Sequence, residues 1–191
     1  PRILSCHSKK PLIAWVIGTT TFLAGTDAEW AVRLGAPIAH MIAASALFVL
    51  GRSMYGAWAG FWAGFGWLML PGVWFSSSLI STDALLLPLW SIALLAMWRL
   101  VNTRAWMWAA VLGVAIGMGV QAKYAMFYFF LCTGLAAWWL EPVRAALAKG
   151  RGLLATLIAL IVLSPNLIWN AQHGFVTAQH TASNAHFDAA K

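Results

Sequence analysis

Acidic side chains are scarce in this sequence: 191 residues carry five Asp and Glu against twelve Lys and Arg. Charged residues of both signs make up only 9% of the chain, while 62% is apolar. A soluble domain of this length needs far more polar surface, so a water-soluble globule is excluded. Only two cysteines are present, Cys6 and Cys132. They build no disulfide framework, and Cys132 falls inside an apolar run, where it reads as a small buried residue. Strict apolar–polar alternation is missing too, which argues against strands and a closed barrel. The sequence holds no phosphate-binding glycine loop, nucleophile elbow, HExxH or CxxC, and so lacks the usual soluble-enzyme signatures. Ser76–Ser78 has no His and Asp at recognisable spacing and reads as a polar loop. No internal repeat or soluble domain is evident.

What is present is a series of long, Trp-rich apolar runs at 31–50, 58–75, 84–98, 105–120, 124–140 and 153–169. Each approaches the roughly 17–25 residues of a bilayer-spanning helix, although the third and fourth are short before their flanks are added. The reading is an all-α polytopic transmembrane bundle of about six spans. Ahead of it, "PLIAWVIGTTTFLAG" is too short and too polar for a span and reads as a helix lying at the interface, with Pro11 in its first turn. Three regions follow: an outer-face segment over 1–30, the bundle over 31–169 and an outer-face tail over 170–191. Gly56, Gly60 and Gly64 form a repeated GxxxG, and Gly113 and Gly117 another; both read as helix-packing ridges.

The formal charge of +7 is scattered singly between spans. It reads as a topology signal with membrane lipids as the generic partner, and not as a nucleic-acid surface. Arg52, Arg99, Arg104, Arg144, Lys149 and Arg151 occupy alternate loops, which makes those loops the inside. Lys9, Lys10, Asp83, Lys123, His173 and His180 then share the outer face.

Asp83, in "SSSLISTDALLLPLW", has two compatible readings. It sits in the first turn of a helix capped by Ser81 or Thr82, where the dipole favours negative charge. Ionisable groups at membrane depth also mark functional sites. Lys123 opposes the positive-inside trend, so it either snorkels to the interface or is held by something negative, such as a lipid phosphate. Lys9 and Lys10 are solvated charges near headgroups, or cations for a phosphate ester beside a helix start. His173, His180 and His186 are spaced by seven and six, which matches no zinc-ligand signature. No cofactor is implied beyond a divalent ion left open at these outer residues. His40 lies mid-span and suggests an interhelical hydrogen bond.

Taken in order, "SKKPLIAW", "AGTDAEWAVRLGAP", "STDALLLPLWSIAL", "GVAIGMGVQAKYAMF" and "SPNLIWNAQHGFVTAQHTASN" resemble the bacterial branch of the dolichyl-phosphate-mannose protein mannosyltransferase family. This branch comprises the glycosyltransferase family 39-like and aminoarabinose-transferase-like proteins of the GT-C class. The resemblance implies a GT-C-like bundle in the bacterial inner membrane with its active face periplasmic. It implies transfer of a sugar, with inversion, from a polyprenyl-phosphate-linked donor to a lipid, glycan or protein acceptor. It further implies that Asp83 is the second acidic position lining the site and that Lys9 lies where the carrier phosphate is faced. Lys123 matches the family's Lys in the corresponding outer turn, and His180 and Asn184 match a polar segment after the "WN" pair. Lys10 stands where the family has the first of two prolines. A phosphate leaving group needs fixed cations, for which Lys9, Lys10 and Lys123 are the candidates, and an acceptor needs a carboxylate. The family's first span and the acidic motif of its first outer loop, which supplies the principal base, have no counterpart here, so the chain reads as an internal piece or truncated relative. Two other readings stay open: a transporter or lipid-handling protein, whose site would sit near the midplane, and an inactive fragment or scaffold.

Overall fold

The computed structural model describes residues 11–172. Among these every element is helical: α1 Pro11–Ala24, α2 Glu29–Arg33, α3 Gly35–Tyr55, α4 Ala57–Met69, α5 Pro71–Ser77, α6 Thr82–Thr103, α7 Trp106–Ala122, α8 Met126–Trp139, α9 Glu141–Leu147 and α10 Arg151–Gln172. Each apolar run of the sequence lies in a helix or a closely spaced pair of helices. The bundle core is built from α3, α6, α7 and α10, with α4 packed along α3 and α10 along α7.

The inside of the bundle is small and its outside is large. Ala36, Ala43, Ala93, Ala96 and Ala109 are fully buried, whereas Trp138 and Trp139 are 80% exposed and Phe22 is 84% exposed. In water that arrangement would expose far too much apolar surface. In a bilayer the tails are as apolar as the core, so helices associate by close backbone approach and the bulky side chains turn outward to lipid. The chain is therefore that of an integral membrane protein. On α4 the outward rings of Trp58, Phe61, Trp62 and Phe65 meet in sequence, the first pair stacked and the next two edge-to-face, with successive centroids 5.4–5.8 Å apart.

The glycine ridges set the two tightest contacts. A Cβ on Gly60 would stand 2.6 Å from the Phe48 carbonyl oxygen of α3, and one on Gly117 would stand 2.8 Å from the Ala159 carbonyl oxygen of α10. Gly113 meets the Ala155 carbonyl in the same way. Gly56 does not belong to its ridge. With φ +94° and nothing near its missing Cβ, it forms the break between α3 and α4.

The described helices do not confirm a count of six spans. Among the described residues, three helical stretches are long and apolar enough to cross a membrane, Glu29–Tyr55, Thr82–Thr103 and Arg151–Ile168, and Trp106–Ala122 is a shorter apolar helix. A fourth crossing requires Met126–Trp139 and Glu141–Leu147 to act together across a 115° bend. The run over 58–75 is divided at Leu70, leaving α4 with 13 residues, or about 20 Å of rise. That falls short of a hydrocarbon core of roughly 30 Å. Proline explains both breaks, because Pro71 and Pro142 have no N–H to continue the preceding helix and instead start α5 and α9. Pro165 stays inside α10 because the Ser164 hydroxyl donates to the Ile161 carbonyl that the proline leaves unpaired, at 2.7 Å.

The basic loops meet at one end of the bundle. Arg151, only 8% exposed, donates from Nη1 to the Arg104 carbonyl at 3.0 Å, from Nη2 to Ala145 at 2.9 Å and from Nε to Ala148 at 3.2 Å. Arg104 Nη1 in turn donates to the Pro142 carbonyl at 2.8 Å. These bonds tie the α6–α7 turn, α9 and the start of α10 into one knot.

Candidate site at the bundle end shared by Asp83 and Lys123

At the opposite end, Ser81 caps α6. Its backbone is extended and its side chain accepts from the Ala84 N–H at 3.1 Å, so Ser81 and not Thr82 is the N-cap. Asp83 follows in the first turn, where free N–H groups and the positive dipole end favour a carboxylate. Lys123 is the C-cap of α7, at the negative dipole end that favours a cation. The fold brings the two together across 40 residues of sequence: Lys123 Nζ donates to Asp83 Oδ1 at 2.6 Å. Both side chains stay partly exposed, at 38% for Lys123 and 57% for Asp83. Exposed pairs of this kind add little to stability. The pair is thus two oriented, partly exposed opposite charges, able to exchange each other for an incoming anion and a proton donor.

The two helices that carry this pair, α6 and α7, also line an apolar groove of about 600 Å³, together with Leu12 and Trp15 of α1 and Ile38 of α3. Leu85 and Pro88 of α6 and Met118 of α7 face it, while Asp83 and Lys123 are not among its lining residues. Leu85 lies two residues beyond Asp83, and Met118 five before Lys123. The groove has the chemistry of a hydrocarbon chain, and the charged pair has that of a headgroup.

Lys9, Lys10, His180 and Asn184 lie outside the described residues, as do Cys6, His7, His173 and His186. Among the described residues no cluster of His, Cys, Asp or Glu is arranged to hold a metal. His40 corrects the expectation of an interhelical hydrogen bond. It is 1% exposed, neither ring nitrogen has a partner, and its contact with α4 is a tilted ring pairing with Trp67 at 6.1 Å. The ring borders a small, mostly apolar cavity lined by Pro37, Met41, Leu68, Met69, Val73, Trp74 and Ser77, and no hydrogen bond forms to either nitrogen.

Two residues that sequence reasoning passed over belong to this end. Arg33 pairs with Glu29 at 2.5 Å and donates to the Ser78 carbonyl at 3.1 Å, pinning α2 to the end of α5, just ahead of the turn into α6. Gln121, two residues before Lys123, is 3% exposed and donates from Nε2 to the Val162 carbonyl of α10 at 2.5 Å. A glutamine inside an otherwise apolar helix was the available signal.

Residues 8–169 match the family model described as dolichyl-phosphate-mannose-protein mannosyltransferase. Among curated proteins, the chain is similar to the lipid A galacturonosyltransferase RgtD of Rhizobium johnstonii, with 39% identity over 184 residues. That alignment covers 96% of this chain and 38% of the relative, so the chain spans about two-fifths of the length of the curated protein it matches. No solved structure matches the chain.

Proposed function

Since this chain belongs to the dolichyl-phosphate-mannose-protein mannosyltransferase family, we propose that the end of the bundle holding Asp83 and Lys123 is part of the site of a membrane glycosyltransferase. The donor is a sugar on a polyprenyl phosphate, the active face is periplasmic and the membrane is the bacterial inner membrane. The acceptor is a glycolipid. Lipid A is the first acceptor to test and a galacturonosyl group the first sugar, because the relative is named for them.

The observation that carries this reading is the Lys123–Asp83 pair at 2.6 Å, held by the two helices α6 and α7 that also line an apolar groove. The polyprenyl chain lies in the groove and its phosphate meets Lys123. The acceptor hydroxyl attacks the anomeric carbon as the bond from that carbon to the phosphate oxygen breaks, inverting the centre. The electron pair leaves with the carrier phosphate, whose growing charge Lys123 stabilises. The hydroxyl proton passes to a carboxylate. In this scheme Asp83 is the second carboxylate, holding the acceptor in line, and an acid of the family's first outer loop is the principal base. Lys9 and Lys10 add cations for the phosphate, and His180 and Asn184 contribute polar contacts from the outer tail. In this reading the segment over 1–30 and the tail over 170–191 belong to the outer face and the bundle spans 31–169. No nucleotide takes part, which agrees with the absence of a nucleotide motif.

The test is Asp83→Asn in the protein expressed from its whole reading frame, assayed in membranes with a polyprenyl-phosphate-linked sugar and lipid A. Transfer should fall by about 10²-fold or more at unchanged expression. Full activity in that variant removes Asp83 from the mechanism.

A further inference from the structure

We propose that Gln121 is a positioning residue for Lys123, clasping the outer end of α7 to α10 so that the lysine ammonium is held where the donor phosphate arrives. The inference rests on the role given to Lys123 above.

Four observations lead to it. First, Gln121 is buried and spends its amide N–H on the Val162 carbonyl, 41 residues away. Its own Oε1 has no partner. An unsatisfied buried acceptor is unfavourable, and a methionine would fill similar space without it, so packing alone does not explain an amide here. Second, the clasp closes the ridge where Gly113 and Gly117 lie against α10, fixing the last turn of α7. Third, α7 ends one residue beyond the clasp. Lys123 is extended, with φ −158° and ψ 135°, and its N–H bonds to the Gly119 carbonyl at 2.8 Å. Fourth, the chain turns at once: the Met126 N–H bonds to the Lys123 carbonyl at 3.0 Å, and the buried Met126 side chain plugs the space over Gly119. Lys123 is therefore held by its backbone on both sides. A lysine stem has four rotatable bonds and is directional only if its base is fixed. The clasp supplies that base, and the ion pair with Asp83 sets the resting direction.

The closing experiment uses Gln121→Met, with Gln121→Asn as a second variant whose shorter amide cannot span to α10. Acylation of Lys123 by a membrane-impermeant amine reagent is followed by peptide mass spectrometry, with Asp83→Asn as a positive control. Labelling should speed up about fivefold in both Gln121 variants. Unchanged labelling overturns the proposal. In donor titrations, Gln121→Met should raise donor KM about fivefold with kcat nearly unchanged. It should have no further effect in a Lys123→Ala background, as expected when one residue acts through another. Equal losses in both backgrounds also overturn the proposal, since they mean a general packing role. If labelling speeds up while Lys123→Ala leaves donor KM unaltered, the clasp stands and the phosphate role of Lys123 falls.

Discussion

Asp83 is one of five acidic side chains in the chain, and its setting was half legible from its neighbours. The serine and threonine before it and the apolar run after it announce a capped helix start. They do not reveal that the cation facing it comes from residue 123. The cap itself is testable: Ser81→Ala should cost about 1 kcal/mol, read as a lower melting temperature of the purified protein in detergent. No change would mean that the Ser81–Ala84 bond has no energetic role. Lys123→Ala should raise donor KM roughly tenfold or more, the loss of one charge-assisted hydrogen bond to phosphate. A donor KM that stays put would separate the lysine from the carrier. His40 was legible as a buried group and illegible as to partner, because a hydrogen bond depends on what the facing helix presents at that depth. Trp67 presents a ring face there.

Helices follow the apolar runs closely, since a stretch of Ala, Leu and Trp in a bilayer has no other way to satisfy its backbone. Their ends were harder to read. Pro71 and Pro142 begin new helices, whereas Pro88 and Pro165 sit within α6 and α10. For Pro165 the difference lies in Ser164, whose hydroxyl supplies the missing donor. The GxxxG patterns identify helices that come close to a neighbour but not which neighbour. Gly117→Leu should therefore break the α7–α10 contact in particular, costing about 1–3 kcal/mol by overpacking. The accompanying test is whether a short bifunctional thiol reagent still cross-links engineered cysteines at positions 121 and 162, where α7 reaches α10 without a glycine being replaced. Survival of that cross-link would contradict the packing described. Arg151→Leu leaves three carbonyls without their guanidinium partner and should cost roughly 3 kcal/mol, measured by thermal unfolding. A neutral effect would make the knot at the basic end incidental.

On the scale of the molecule, charge placement and fold agree about which loops share an end. Arg104 and Arg151 meet at one, and Asp83 and Lys123 at the other. In a background with Cys6 and Cys132 replaced by Ser, Ser78→Cys should react with a membrane-impermeant thiol reagent on intact cells, while Lys149→Cys should react only after the membrane is opened. Labelling of both from one side would sink the topology. The expectation of six spans is not confirmed, because crossing is a property of continuous length. Breaks at Leu70 and Leu140 are set by local backbone chemistry that average hydropathy does not register.

The residues alone determined that this chain lives in a bilayer as helices, because composition decides which solvent a polypeptide can tolerate. They also determined which loops lie together, because positive charge resists transfer across the membrane. Only the tertiary structure decided that Lys123 reaches Asp83, that Gln121 grips α10 and that α1, α3, α6 and α7 enclose a groove. Those outcomes depend on how closely particular backbones approach. That distance is fixed by glycines on one helix meeting carbonyls of another, a pairing between parts of the chain that no single stretch encodes.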